Sequence, residues 1–101
     1  MGFNKSRQIS AGGLEGVNID ALKPAMGVYI YWGGTLPTGN FPITMTNQKS
    51  ILLRVYSISG MSIQIMYTGA VGMGSIDHKY ERVFTDSWGA WTDMGSINSP
   101  H

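Results

Sequence analysis

Several groups of residues in this 101-residue chain carry side chains able to do chemistry. Ser75, Asp77 and His78 put a hydroxyl, a carboxylate and an imidazole on one loop. A nucleophilic triad works through mutual geometry, and crowding on a single loop gives that geometry no support. Glu81, Asp86 and Asp93 are carboxylates close in sequence. A glycosidase sets such a pair about 5–10 Å apart across a cleft, and so small a domain has little room for one. Two histidines, one of them terminal, make a poor metal site, and cysteine is absent. No P-loop or dinucleotide fingerprint occurs. The expectation is a protein with no catalytic residue, no metal and no cofactor.

Recognition chemistry is better represented. Tyr29, Tyr31 and Trp32 form an aromatic run before a Gly-Gly turn, suited to stacking on a ligand or on another subunit. Trp88 and Trp91 place two of the three tryptophans within four residues. They can stack on sugar rings or close a small core, and closing the core is the stronger reading. Asn40, Asn47, Gln48, Asp77 and His78 lie in loops, where they offer hydrogen bonds to hydroxyl groups. A rigid scaffold displays contact residues on such loops. Arg82 has Glu81, Asp86, a neighbour's carboxylate or an aromatic ring as candidate partners. Gln64 is placed to hold a backbone group across a sheet. For both, a structural role is the expectation.

The composition narrows the classes of partner. Charged residues make up 13% of the chain, against about 25% in an average soluble domain. Seven Lys and Arg against six Asp and Glu leave a net charge of +1. Nucleic-acid binding needs a basic stripe that displaces counterions, and none is present. No run of about 18 apolar residues occurs, so membrane insertion is not expected. The polar, uncharged surface suits sugars or further copies of the chain. Residues 1–13 lack the apolar core of a signal peptide. An extracellular role would therefore imply another export route or a longer parent chain.

The elements that must position these residues are mostly strands. Residues 1–13 read as a flexible lead, residues 14–95 as one domain and residues 96–101 as a polar tail. Asn18 or Asp20 can cap a single helical turn before Pro24 stops it, with Leu22 as an apolar anchor. Residues 27–32 alternate Val28 and Ile30 with Tyr29 and Tyr31. Residues 35–49 form a loop pinned to the core by Phe41 and Ile43. Residues 50–57 and 61–68 read as two strands joined by the short Ser59-Gly60 turn, which predicts a β-hairpin. A glycine-rich loop at 69–77 leads to a strand at 78–85, and residues 88–94 can add a last short strand. The predicted fold is mainly β, a small antiparallel sheet of four to five strands with a short N-terminal turn or helix. One face is buried. The other, carrying Leu52, Tyr56 and Met66, is too apolar to stay wet. The 35–49 loop or a symmetric oligomer is expected to cover it.

Four of these features occur in a fixed order. They are Asn-Ile-Asp-Ala-Leu-Lys-Pro-Ala-Met-Gly-Val-Tyr-Ile from Asn18, the strand Ser62-Ile63-Gln64-Ile65-Met66-Tyr67, Tyr80-Glu81-Arg82-Val83-Phe84, and Trp88-Gly89-Ala90-Trp91. The order and spacing resemble the small knob domains of phage tail fibres and the related R-type pyocin fibres, over residues 18–94. Ala25-Met26 before Gly27, Gly89 in place of the usual Ser, and a longer 69–77 loop are departures. The resemblance implies a β-rich knob on a homotrimeric fibre of the virion, with residues 1–13 as a fibre connector. It implies non-catalytic attachment to a bacterial surface glycan or outer-membrane receptor, with sister chains as partners. Gln64, Arg82, Trp88 and Trp91 fall on the family's structural signature. A purely structural trimerisation or spacer module is the alternative, and a capsule-degrading appendage a more distant one.

Overall fold

A computed structural model describes residues 10–23, 26–70 and 78–95. The chain is mainly β, built as one six-stranded sheet in sequence order. The strands are β1 (Ser10–Gly13), β2 (Gly27–Tyr31), β3 (Lys49–Ile58), β4 (Met61–Ala70), β5 (His78–Phe84) and β6 (Thr92–Asp93). The last five pair antiparallel with their neighbours. β1 pairs parallel with β2, with Gly13 opposite Ile30. A parallel neighbour needs a crossover of about a dozen residues, which residues 14–26 supply.

β1 is the main departure from the sequence reading, which ended the flexible lead at residue 13. Ser10–Gly13 has no alternation to announce a strand. It is held at the sheet edge by pairing with β2, and Leu14 then donates its N–H to Ile30 O. The rest of the lead, residues 1–9, lies outside the described residues, as do the 96–101 tail and residues 71–77 of the glycine-rich loop.

β3 and β4 form the centre, joined by a two-residue turn at Ser59 and Gly60 with φ of 51° and 82°. Positive φ at both positions matches the right-handed twist of a hairpin. Gly60 adopts it freely, whereas Ser59 is the one non-glycine residue at positive φ among those described.

The register decides which face is buried. Tyr29 and Tyr31 lie opposite Leu53 and Ile51, which lie opposite Met66 and Thr68. Gln64 lies opposite both Val55 and Arg82. The core is Leu14, Ile19, Tyr31, Ile51, Leu53, Val55 and Met66, with Val17, Leu22, Phe41, Ile43 and Met45 packed against it. Met66 therefore faces inward, not outward with Leu52 and Tyr56. The segment between β2 and β3 also covers this inner face, where Phe41, Ile43 and Met45 fill the space. On the outer face Ile63 and Ile65 are buried, Leu52, Tyr56 and Tyr67 are half-buried and Val83 is exposed.

Above the inner face sits a 3-10 turn, Ile19–Ala21. Asn18 caps it by accepting the N–H of Asp20, which satisfies one of the donors that a helix start leaves open. Ile19 points into the core. Ser62 Oγ donates to Lys23 O and ties the exit of the turn to β4.

Candidate functional site

The residues singled out in the sequence separate into a buried cluster and a set at one end of the sheet. The cluster centres on Arg82, which is 2% exposed although it is the longest side chain of β5. Alternation along β5 turns it inward beside Gln64. Its Nε donates to Gln64 Oε1 at 2.9 Å and its Nη2 to Asp20 Oδ1 at 2.8 Å. The ring centroids of Trp88 and Trp91 lie 4.1 and 4.5 Å from the guanidinium carbon. Nη1 is buried without a hydrogen-bond partner among the described residues, and these two electron-rich rings flank its guanidinium. Burial pulls the Arg82 pKa down, while the Asp20 hydrogen bond and charge push it back up. The guanidinium stays charged.

Gln64 completes the cluster. Its Nε2 donates to Ile19 O at 2.7 Å and to Leu22 O at 3.1 Å. The side chain thus reaches between layers, from β4 up to the 3-10 turn, and not across the sheet. Trp88 Nε1 donates to Asp20 O and Trp91 Nε1 to Asn40 O, at 2.9 and 2.7 Å. Phe84 meets Trp88 edge to face. Asp20 Oδ1 also accepts the Asn40 N–H. Sequence spacing could not name Asp20 as the partner of Arg82, because the turn brings it in from 62 residues away. With every indole N–H in this cluster bonded to a backbone carbonyl, Trp88 and Trp91 close the domain and hold Arg82.

The second set follows from strand direction. β2 ends, β3 begins, β4 ends and β5 begins at the same end of the sheet, in the row Tyr31, Ile51, Thr68, His78. Trp32, Asn47 and His78 therefore gather at that end, and Asp77 lies outside the described residues. Trp32 and His78 are still separated by about three strand spacings, roughly 14 Å. Asn40 is elsewhere, over the 3-10 turn. Asn47 is exposed and its side chain accepts from Gln48. His78 Nε2 contacts Asp93 Oδ1 at 2.5 Å and its ring tilts against Tyr80. Asp93 also accepts the Gly95 N–H. That hydrogen bond, then His78, holds the Asp93 carboxyl below the usual carboxylate range.

The aromatic run divides in the same way. Tyr31 is 1% exposed and belongs to the core, its hydroxyl donating to Gly34 O. Tyr29 packs beside it. Period-two alternation turns both toward the inner face, where Tyr31 is buried and Tyr29 is half-buried. Trp32, 72% exposed, is the member that offers a ring face to a ligand. It lines a cleft of about 310 Å³ with Gly13, Glu15, Ile30, Tyr31, Gly33 and Gly34. Glu15 was not among the sequence candidates. A lone glutamate between Leu14 and Gly16 gives no local signal.

Among the described residues no three His, Cys, Asp or Glu side chains are grouped to hold a metal ion. No described helix is long and apolar enough to cross a membrane. No family model, curated protein or solved structure matches the chain.

Proposed function

We propose that this chain is an attachment knob of a phage-type tail fibre, holding a bacterial surface receptor without catalysing a reaction. The observation that carries the reading is the convergence of the four features that resemble fibre knobs. The Asn18 turn, Gln64, Arg82 and Trp88 hydrogen-bond to one another across up to 68 residues, and the Trp91 ring lies against the Arg82 guanidinium in the same cluster. A pattern that is a single packing unit is less open to coincidence than four separate short matches. The gathering of connections at one sheet end is consistent with display toward a receptor. Attachment through several weak copies gains avidity without any single tight site.

The test is adhesion of the labelled chain to a panel of bacterial cells, together with a glycan array. Saturable binding to at least one cell type or surface glycan is expected. Failure to bind any of them would remove the attachment role.

The outer sheet face favours a second reading, an oligomerisation module. Leu52, Tyr56 and Val83 leave it apolar, while Arg54, Lys79 and Glu81 give it both charge signs, which suits packing against sister chains. Light scattering should give three chain masses. The pair Leu52→Lys and Val83→Lys should lower that mass without unfolding the domain. A stable, soluble wild-type monomer would count against this reading.

A further inference from the structure

We propose that the Trp32 cleft is a sugar subsite that takes one pyranose ring, stacked on the indole and hydrogen-bonded to Glu15. This deepens the attachment reading and rests on it for the biological source of the sugar.

The cleft is built at the point where β1 and β2 end. Exposing a tryptophan forgoes burial of about 150–250 Å² of ring surface, and Trp32 is the most exposed of the large apolar residues described. The turn beside it is fixed from two sides. Tyr31 Oη donates to Gly34 O at 2.9 Å, and the Thr35 N–H donates to Glu15 Oε2 at 3.1 Å. Gly34, with φ of 94°, lets the Glu15 carboxylate lie directly against the backbone. A Cβ at Gly34 would come 1.6 Å from Oε2. Glu15 is thereby held in place before any ligand arrives, which lowers the entropic cost of binding.

The space itself is open. A Cβ added at Gly13 or Gly33 would meet nothing within 4 Å. Its volume of about 310 Å³ is near the low end of the ~300–1,000 Å³ typical of small-molecule sites. That size admits one sugar ring and excludes a folded peptide element. The chemistry selects among small ligands. An indole face takes the C–H face of a pyranose, and a carboxylate accepts hydrogen bonds from neighbouring hydroxyls. Thr35 uses one of about four acceptor positions on that carboxylate. The same negative charge disfavours phosphate groups.

A single ring of about a dozen heavy atoms supports a dissociation constant on the order of 1 mM. The probes are the methyl glycosides of glucose, galactose, mannose and N-acetylglucosamine, titrated while the indole N–H resonances are followed by NMR. With at least one glycoside, the Trp32 indole and the Gly13, Gly33 and Gly34 amides should shift saturably. The Trp88 and Trp91 indoles, already bonded to carbonyls, should not. Trp32→Ala and Gly13→Leu, which fills the cleft, should each weaken binding at least about tenfold, the factor set by 1.4 kcal/mol. Their thermal melting should stay close to wild type. Glu15→Gln keeps an acceptor for Thr35 and should cause a smaller loss.

The proposal is overturned if no glycoside moves the Trp32 resonance, if that indole is shielded by self-association, or if Gly13→Leu binds as well as wild type. Cell adhesion that survives Trp32→Ala and Gly13→Leu, with no glycoside shift, removes the cleft and leaves the attachment reading standing. Glycoside binding without adhesion to any cell does the reverse.

Discussion

Replacing Arg82 should be among the most damaging single changes in this domain, and the structure says how the loss divides. Arg82→Ala leaves Gln64 Oε1 buried without its donor, a penalty of about 1–3 kcal/mol. It also removes a desolvated cation from beside two indole rings, with contacts of roughly 0.5–2 kcal/mol each. Asp20 loses less. Its side chain is 39% exposed and keeps the Asn40 N–H, so solvent screens much of the ion pair. Relief from burying a charge offsets part of the total, leaving a net cost of about 3–5 kcal/mol. That is a large share of the ~5–15 kcal/mol by which a domain of this size is stable.

Arg82→Lys keeps the charge but not the planar fork that reaches Gln64 and Asp20 together, and should cost about 2–3 kcal/mol. Asp20→Asn should cost only about 1–2 kcal/mol, because the pair is half in water. Gln64→Leu strands Arg82 Nε together with the Ile19 and Leu22 carbonyls, and should cost about 3 kcal/mol. Its combination with Arg82→Ala should fall short of additivity by 1 kcal/mol or more, on the order expected for contacting residues. Urea denaturation followed by tryptophan emission measures all of these, since Trp88 and Trp91 adjoin the site. A loss below about 1 kcal/mol for Arg82→Ala would refute the reasoning, set against the value for breaking a buried pair. So would an Asp20→Asn loss equal to that of Arg82→Ala, since the ion pair would then outweigh the stacking and the Gln64 bond.

Two further outcomes are expected. Ser59 holds a left-handed conformation that asparagine tolerates better, so Ser59→Asn should stabilise the hairpin by about 0.5–1 kcal/mol. A thermal melt should rise by roughly 2–8 °C, and an unchanged melt would remove the strain argument. The Asp93 carboxyl, held low first by the Gly95 N–H and then by His78, is ionised further into acid in the folded chain than in the unfolded one. Its contribution is therefore complete above the ordinary value of about 3.9. It is lost as pH falls through the lowered folded value. An NMR titration of that carboxyl should show the lowered midpoint, and His78→Ala should restore it only in part, because the larger cause remains.

Particular elements mark how much was legible in the chain. Two strand-like runs, residues 50–57 and 61–68, around Ser59-Gly60 contain the central hairpin, because β-branched and apolar residues in alternation suit a strand whatever lies around them. Asn18 and its 3-10 turn were legible for a similar reason, since a cap acts within two or three residues. Edge strand β1 was not, because its hydrogen bonds come from β2 and from no pattern of its own. The cleft was legible by half. Trp32 stood out as an aromatic before a Gly-Gly turn, whereas Glu15 acquires its place only when β1 brings it beside Gly34.

The sequence by itself determined that this is a mainly β domain with a hairpin at its centre and a capped turn before it. Tertiary structure alone decided that the polar side of β4 is buried as well as its isoleucines. Composition would bury Ile63 and Ile65, as the fold does at 9% and 7% exposure, and would leave Ser62 and Gln64 to water. The fold buries Ser62 and Gln64 beneath the 3-10 turn, because Gln64 finds two carbonyls and the Arg82 guanidinium there. A buried polar side chain is tolerated when its hydrogen bonds are met. Those partners come from residues 19, 22 and 82, and only a folded chain brings them together.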